Sequence, residues 1–184
     1  KSCKNLKSIA YLSTGLKTHG DLETAKILGI KFEGVKDYGN IAVAEHTITL
    51  ALASLKRIVE MDNIVRSNNW SLLKTEEFSS KTFGLIGFGD LAKSLTPILK
   101  AFSNNIMAYD PWIPNKEIEK FDVKPTNLNS LLKNADIIYV LASITSSNQS
   151  MINSYNLKLI KDGSVFVLMS RAAIINFDDF FNFL

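Results

Sequence analysis

Cysteine is almost absent from this 184-residue sequence: Cys3 is the single one, so no internal disulfide framework can form, and a reducing, cytoplasmic setting is expected. Long apolar runs are absent too. The longest stretch, from Ile41 to Val59, is interrupted by Glu45, His46, Lys56 and Arg57, so it is not a membrane span. The first residues are basic, yet neither a long apolar run nor a small-residue cleavage site follows them, which is not the pattern of a secretory leader. Positive charge is in slight excess, 21 Lys and Arg against 18 Asp and Glu for a net +3, but the lysines are scattered. That excludes the dense basic stripe with which nucleic-acid binders neutralise phosphates. The two histidines, His19 and His46, form no Cys/His group with metal-ligand spacing, and no Gly-x-Ser-x-Gly elbow occurs, so neither a metal centre nor serine-hydrolase chemistry is supported. Repeats and low-complexity tracts are missing as well.

What remains is an ordinary globular composition, 46% hydrophobic and 21% charged, with enough apolar material for a real core. The length fits one domain, or one domain and a piece of another. The sequence starts at Lys1 without a Met and stops inside an apolar helical pattern at Phe181–Leu184, so a piece of a longer protein is expected.

Along the chain, Ser8–Leu12 reads as a short strand closed by the Ser13–Gly15 turn, Asp21–Leu28 as a helix stopped by Gly29, and Ile30–Val35 as a second strand. Strand, helix, strand implies a parallel pair joined by a crossover. From Ile41 to about Arg66, apolar residues at three- and four-residue steps predict one long helix, apolar on several faces, that serves either as a core helix or as a subunit interface. Asn68–Ser80 is a polar connector. Thr82–Gly87, Ile106–Tyr109, Ile137–Ala142 and Val165–Met169 are then strand-length apolar runs, separated by helices over Leu91–Phe102, Leu128–Lys133 and Tyr155–Ile160, with a last one from Phe177. Unbroken apolar strands are those of a parallel sheet covered on both faces, so the expected fold is α/β with a doubly wound parallel sheet.

Gly87-Phe88-Gly89-Asp90-Leu91-Ala92 sits between a predicted strand and a predicted helix. This is the G-x-G-x-x-G/A pattern in the context its chemistry needs. The first Gly permits a tight turn, the second lets backbone approach a pyrophosphate, and a small third residue lets helix and strand pack closely. The pyrophosphate then lies at the positive end of the helix. Asp110 ends the next strand about 20 residues beyond, where a carboxylate receives the adenosine ribose hydroxyls and repels a 2′-phosphate, which favours NAD over NADP. In the alternative reading the glycines are a plain turn and Asp110 caps the Pro111-Trp112 segment.

With these motifs in hand the chain resembles the D-isomer-specific 2-hydroxyacid dehydrogenases. The resemblance runs through STG at Ser13–Gly15 and DLETAKILGI, YGNIAVAEHT at Tyr38–Thr47, and KTFGLIGFGDLAKSL at Lys81–Leu95. It continues with AYDP at Ala108–Pro111, ADIIYVLASIT at Ala135–Thr145 and KDGSVFVLMSRA ending at Ala172. It implies a remnant of a flavodoxin-like substrate domain over 1–40 and a Rossmann-type NAD-binding domain over 41–184, truncated at its C-terminal end, with the long helix as the crossover and a homodimer packed through it. It implies hydride transfer between NAD(H) and a small 2-keto or 2-hydroxy acid, no membrane or nucleic-acid partner, and no metal. Arg171 becomes the catalytic residue that holds the substrate carboxylate and carbonyl, a task that suits a planar guanidinium. Thr14 and Gly15 offer backbone N–H groups to the carboxylate, with Thr14 near the nicotinamide. Gly87, Gly89, Asp90 and Leu91 face the pyrophosphate, Asp110 the ribose, and Ala142, Met169 and Ser170 lie along the cofactor.

The chain also departs from the family pattern. The family's catalytic Glu and His follow the Arg, and residues 172–184 contain neither. Its usual His-x-Pro is Leu141-Ala142-Ser143 here, its Asn before the Arg is Leu168, and the Gly after it is Ala172. These changes touch the nicotinamide side and leave the adenosine half intact, so a non-catalytic NAD-binding regulator or degenerate homologue is the alternative to a working dehydrogenase.

Overall fold

The strand–helix–strand pattern at the start folds as a parallel pair: β1 (Ser8–Tyr11), α1 (Leu22–Ile27) and β2 (Lys31–Gly34), with Ser8 opposite Lys31 and Tyr11 opposite Gly34. Helix α1 begins where the Asp21 carboxylate accepts the Thr24 N–H at 3.0 Å, and it ends at Gly29, whose φ of +67° is costly for other residues. The computed structural model describes residues 3, 5–12, 20–35 and 38–184; the chain divides into two compact units, Lys1–Asn40 and Ile41–Leu184. The expected Ser13–Gly15 turn and His19 lie outside the described residues.

The long helix expected over 41–66 is broken. It forms α2 (Asn40–Leu55) and α3 (Ile58–Arg66), with Arg57 in the left-handed region at φ 52°, ψ 38°. No Gly or Pro marks this point in the sequence. The break is held by side chains instead: Lys56 Nζ donates to the Glu76 carbonyl at 2.6 Å, and the Arg57 guanidinium makes two 2.7 Å bonds to Glu60. On α2, Ala44, Thr47, Ile48 and Ala51 are buried, while Ile41 and Leu50 are exposed, as are Ile58 and Val59 on α3.

The second unit then alternates strand and helix: β3 (Phe83–Ile86), α4 (Asp90–Lys100), β4 (Ile106–Tyr109), α5 (Asn115–Glu119), β5 (Lys124–Pro125), α6 (Leu128–Asn134), β6 (Ile137–Val140), α7 (Ser154–Leu157), β7 (Val165–Leu168) and α8 (Phe177–Phe183). The strands form one parallel sheet in the order β5-β4-β3-β6-β7, the doubly wound arrangement with a Rossmann-type order. The chain enters at the centre, winds out to β5, and returns to the other side at β6. That makes the gap between β3 and β6 the topological switch point, where open α/β sheets bind ligands.

The apolar runs are unbroken because both faces are covered. Phe83, Leu85, Ile137 and Tyr139 point into one core layer with Ala92, Leu95 and Leu99 of α4. Ile86, Ile138 and Val140 point into the other, with Leu131 and Leu132 of α6 and Leu157 of α7. Alternate residues of each strand thus serve opposite cores, the period of two that a strand imposes. Between them Gly84 lets α6 come close: a Cβ there would stand 2.7 Å from Leu131 Cδ2 and Ala135 Cβ. Helix α5 and strand β5 were not expected, since the two-residue strand Lys124–Pro125 has no apolar run to reveal it.

Candidate functional site

The carboxyl ends of β3, β4, β6 and β7 bring together Gly87, Asp110, Ala142 and the Met169–Arg171 segment. The register shows why they converge. Gly87 N–H donates to the Tyr109 carbonyl at 2.8 Å, Leu141 N–H to Ile86 at 2.8 Å, and Met169 N–H to Val140 at 3.0 Å. Beyond these last ladder bonds the chain leaves each strand at the same edge.

Gly87 turns sharply, with φ +95°. Two things require a glycine there: the positive φ, and the approach of β6, since a Cβ on Gly87 would stand 2.6 Å from both the N and Cα of Ala142. Gly89 is different. Its φ of −79° suits any residue, and a Cβ built on it meets nothing within 4 Å among the described residues. Among the described residues the space above Gly89 is open at the very start of α4, and no side chain caps the helix. An uncapped helix start carries unsatisfied N–H groups and the positive end of the macrodipole, so it attracts an anion. Asp90 and Leu91 form the first turn, with Lys93 Nζ 4.0 Å from Asp90 Oδ1. Ala92, fully buried, is the small residue that lets α4 lie close to the sheet.

Asp110 does more than the sequence suggested. Its Oδ2 accepts the Phe88 N–H at 2.8 Å, and its Oδ1 accepts the N–H groups of Trp112 at 2.9 Å and Ile113 at 3.1 Å. The cap on the Pro111-Trp112 segment is therefore real, and the same carboxylate also holds the glycine loop. Sequence reasoning passed over Phe88, the middle residue of the loop. Its ring is fully buried and packs edge-on against Phe121, with centroids 5.5 Å apart and planes at 73°. The signal was available: an aromatic residue between two glycines has to be buried somewhere.

On the other side of the switch point, the Ser170 hydroxyl donates to the Ala142 carbonyl, tying the ends of β6 and β7 together. Arg171 follows in extended conformation at φ −69°, ψ 140°, exposed, and leads into a 3₁₀ turn at Ala172–Ile174. The loop after β6 is folded on Asn148, whose side chain accepts the Thr145 N–H at 2.7 Å and donates to the Ser143 carbonyl at 2.8 Å. Thr14 and Gly15 lie outside the described residues, and His46 is exposed on α2. Trp112, 57% exposed, stands beside the Asp110 turn, whereas Trp70, 85% exposed, belongs to the connector after α3. Among the described residues no group of three or more His, Cys, Asp or Glu is placed to hold a metal ion, and no helix is long and apolar enough to cross a membrane.

The parts present fit a dinucleotide. A glycine with open space lies before an uncapped helix start, and a carboxylate ends the neighbouring strand beside it.

Comparison with known proteins agrees with this geometry. The family model described as D-isomer specific 2-hydroxyacid dehydrogenase, NAD binding domain, matches residues 48–184. D-3-phosphoglycerate dehydrogenase of Archaeoglobus fulgidus is 30% identical over 178 residues, which cover 96% of this chain and 34% of that protein. Hydroxypyruvate reductase of Thermotoga maritima is 33% identical over 175 residues, covering 94% of this chain and 56% of that one. Among solved structures, D-lactate dehydrogenase from Aquifex aeolicus, complexed with NAD and lactic acid, is similar with a TM-score of 0.86 at 27% identity, over 96% of this chain and 54% of that one. The chain thus spans about a third to a little over half the length of these relatives.

Proposed function

The chain belongs to the D-isomer specific 2-hydroxyacid dehydrogenases, and from that membership we propose that the protein of which it forms the NAD-binding part interconverts a small 2-keto acid and the corresponding 2-hydroxy acid. The observation that carries this reading is the glycine loop at the switch point, open above Gly89 and joined through Phe88 to the carboxylate of Asp110.

NAD(H), when bound, supplies or accepts the hydride at the substrate's second carbon. The residues of this chain bind and orient. Gly87 and Gly89 let the backbone reach the pyrophosphate, and the N–H groups of Asp90 and Leu91 at the start of α4 meet its charge. Asp110 receives the adenosine ribose and disfavours a 2′-phosphate in its place. Ala142, Met169 and Ser170 border the cofactor. Arg171 holds the substrate carboxylate and carbonyl through its planar donors. The proton is handled by a His paired with a Glu, which this family carries downstream of the Arg. Relatives whose names include D-lactate dehydrogenase, hydroxypyruvate reductase and D-3-phosphoglycerate dehydrogenase support a small 2-keto acid as the substrate class.

We also assign a homodimer formed through α2 and α3. Ile41, Leu50, Ile58 and Val59 are exposed there, an apolar surface that a second subunit would cover. Sedimentation of the full-length protein checks this, and a monomer at micromolar concentration contradicts it. A cytoplasmic location goes with the single, exposed Cys3.

The test of the reaction is NADH oxidation by the full-length protein with a panel of 2-keto acids. Turnover with at least one acid is expected, falling about a hundredfold or more in kcat/KM on Arg171→Ala. NADH binding without turnover on any acid would overturn the dehydrogenase reading in favour of a binding module.

A further inference from the structure

The three backbone donors on Asp110 give this residue a second task beside ribose binding. We propose that Asp110 is a positioning residue for the glycine loop. Its carboxylate holds Phe88 and so sets the place of Gly89 and of the α4 start against the pyrophosphate. The inference rests on the dinucleotide reading and deepens it.

The geometry is specific. A carboxylate has about four acceptor positions, and three are engaged by the N–H groups of Phe88, Trp112 and Ile113. Two of those donors are local to the turn after β4, two and three residues away in sequence; the third, Phe88, is 22 residues away in the loop after β3. The carboxylate therefore bridges the two strand ends that form one wall of the crevice. Phe88 is fixed at its other end by burial of its ring against Phe121. Gly89 directly follows this doubly anchored residue and carries no side chain, at the position that must approach the phosphates. A loop held in this shape before the cofactor arrives loses less conformational freedom on binding.

An amide cannot replace this carboxylate. In Asp110→Asn one end of the side chain accepts from Trp112 and Ile113, and the other end presents an NH2 group to the Phe88 N–H, donor against donor. The loop is then released even though the turn is kept. Hydrogen bonds to a charged acceptor are the stronger kind, so the loss should be about tenfold or more in affinity.

The experiment separates the two tasks. NADH and an NADH analogue lacking both adenosine ribose hydroxyls are titrated against full-length wild type and Asp110→Asn. Expected is a loss of about tenfold or more on Asp110→Asn with both ligands, because the pyrophosphate is common to them. A loss confined to NADH, with the analogue bound equally by both proteins, overturns the positioning role and leaves Asp110 a ribose ligand alone. If wild type binds neither ligand, the dinucleotide reading itself fails, and the inference with it. Hydrogen exchange on cofactor-free wild type does not depend on the variant folding. The Phe88 amide should exchange as slowly as the β3 amides, and exchange at the rate of an unbonded loop amide overturns the inference.

Discussion

Gly87 and Ala142 meet across the switch point so closely that a single methylene cannot be inserted between them. The Ala142 N and Cα lie 2.6 Å from the place a Cβ on Gly87 would take. The first glycine of the fingerprint thus joins β3 to β6 as well as turning the chain. Gly89 has no such neighbour, so the two glycines separate fold from ligand binding.

Gly87→Ala should destabilise the protein by about 2–4 kcal/mol, combining a left-handed backbone with overpacking against strand backbone. Gly89→Ala should cost under about 1 kcal/mol, the scale of a poorer helix N-cap, yet weaken NADH binding by at least about tenfold because its methyl occupies the approach to the helix start. Denaturant unfolding and NADH titration of both variants check this. A Gly89→Ala protein that binds NADH like wild type would place the phosphates elsewhere.

Tyr139 sits fully buried on β6 with no partner for its hydroxyl among the described residues, and burial pushes its pKa well above that of a free phenol. Deleting an unsatisfied buried hydroxyl removes a desolvation penalty and leaves only a small void. Tyr139→Phe should therefore raise stability by about 1 kcal/mol. A loss of that size in chemical denaturation would mean that the hydroxyl has a partner in solution.

Asp136, at the opposite end of the sheet, anchors the start of β6. Partial burial pushes its pKa up, but the bond from Lys161 Nζ at 2.6 Å and that from the Thr82 N–H at 2.8 Å outweigh it, so the net shift is downward from 3.8. A carboxylate with a folded pKa below its unfolded one contributes stability above the unfolded value and loses it as pH falls through the folded one. Asp136→Asn should lower the melting temperature at pH 7, and its difference from wild type should shrink as the pH drops below about 4. A difference independent of pH would show that the charge is not what holds this corner.

How much of this was readable in the sequence depended on the kind of signal. Buried parallel strands announce themselves, because cover on both faces leaves runs such as Phe83–Ile86 and Ile137–Val140 with no charged residue. The fingerprint glycines and Asp110 were legible because their spacing is fixed by the turn, the strand and the helix between them. The break at Arg57 was not, since a left-handed arginine bonded to Glu60, beside a Lys56 that reaches the Glu76 carbonyl, leaves no Gly or Pro behind. Nor was β5, a two-residue edge strand ending in Pro125. At the site, the cap of Asp110 on the Pro111-Trp112 segment was legible as an alternative reading, but its bond from the Phe88 N–H is a backbone contact that no residue type reveals; only the aromatic Phe88 between glycines hinted that the loop was anchored from below.

The most direct test of the central claim is equilibrium binding of NADH and NADPH to the full-length protein. Saturable NADH binding, with NADPH weaker by about tenfold or more, is predicted, because an Asp110 carboxylate seated on the adenosine ribose, as proposed, would repel a 2′-phosphate. Absence of saturable NADH binding, or equal affinity for the two, would contradict a dinucleotide seated over Gly89 with its ribose on Asp110.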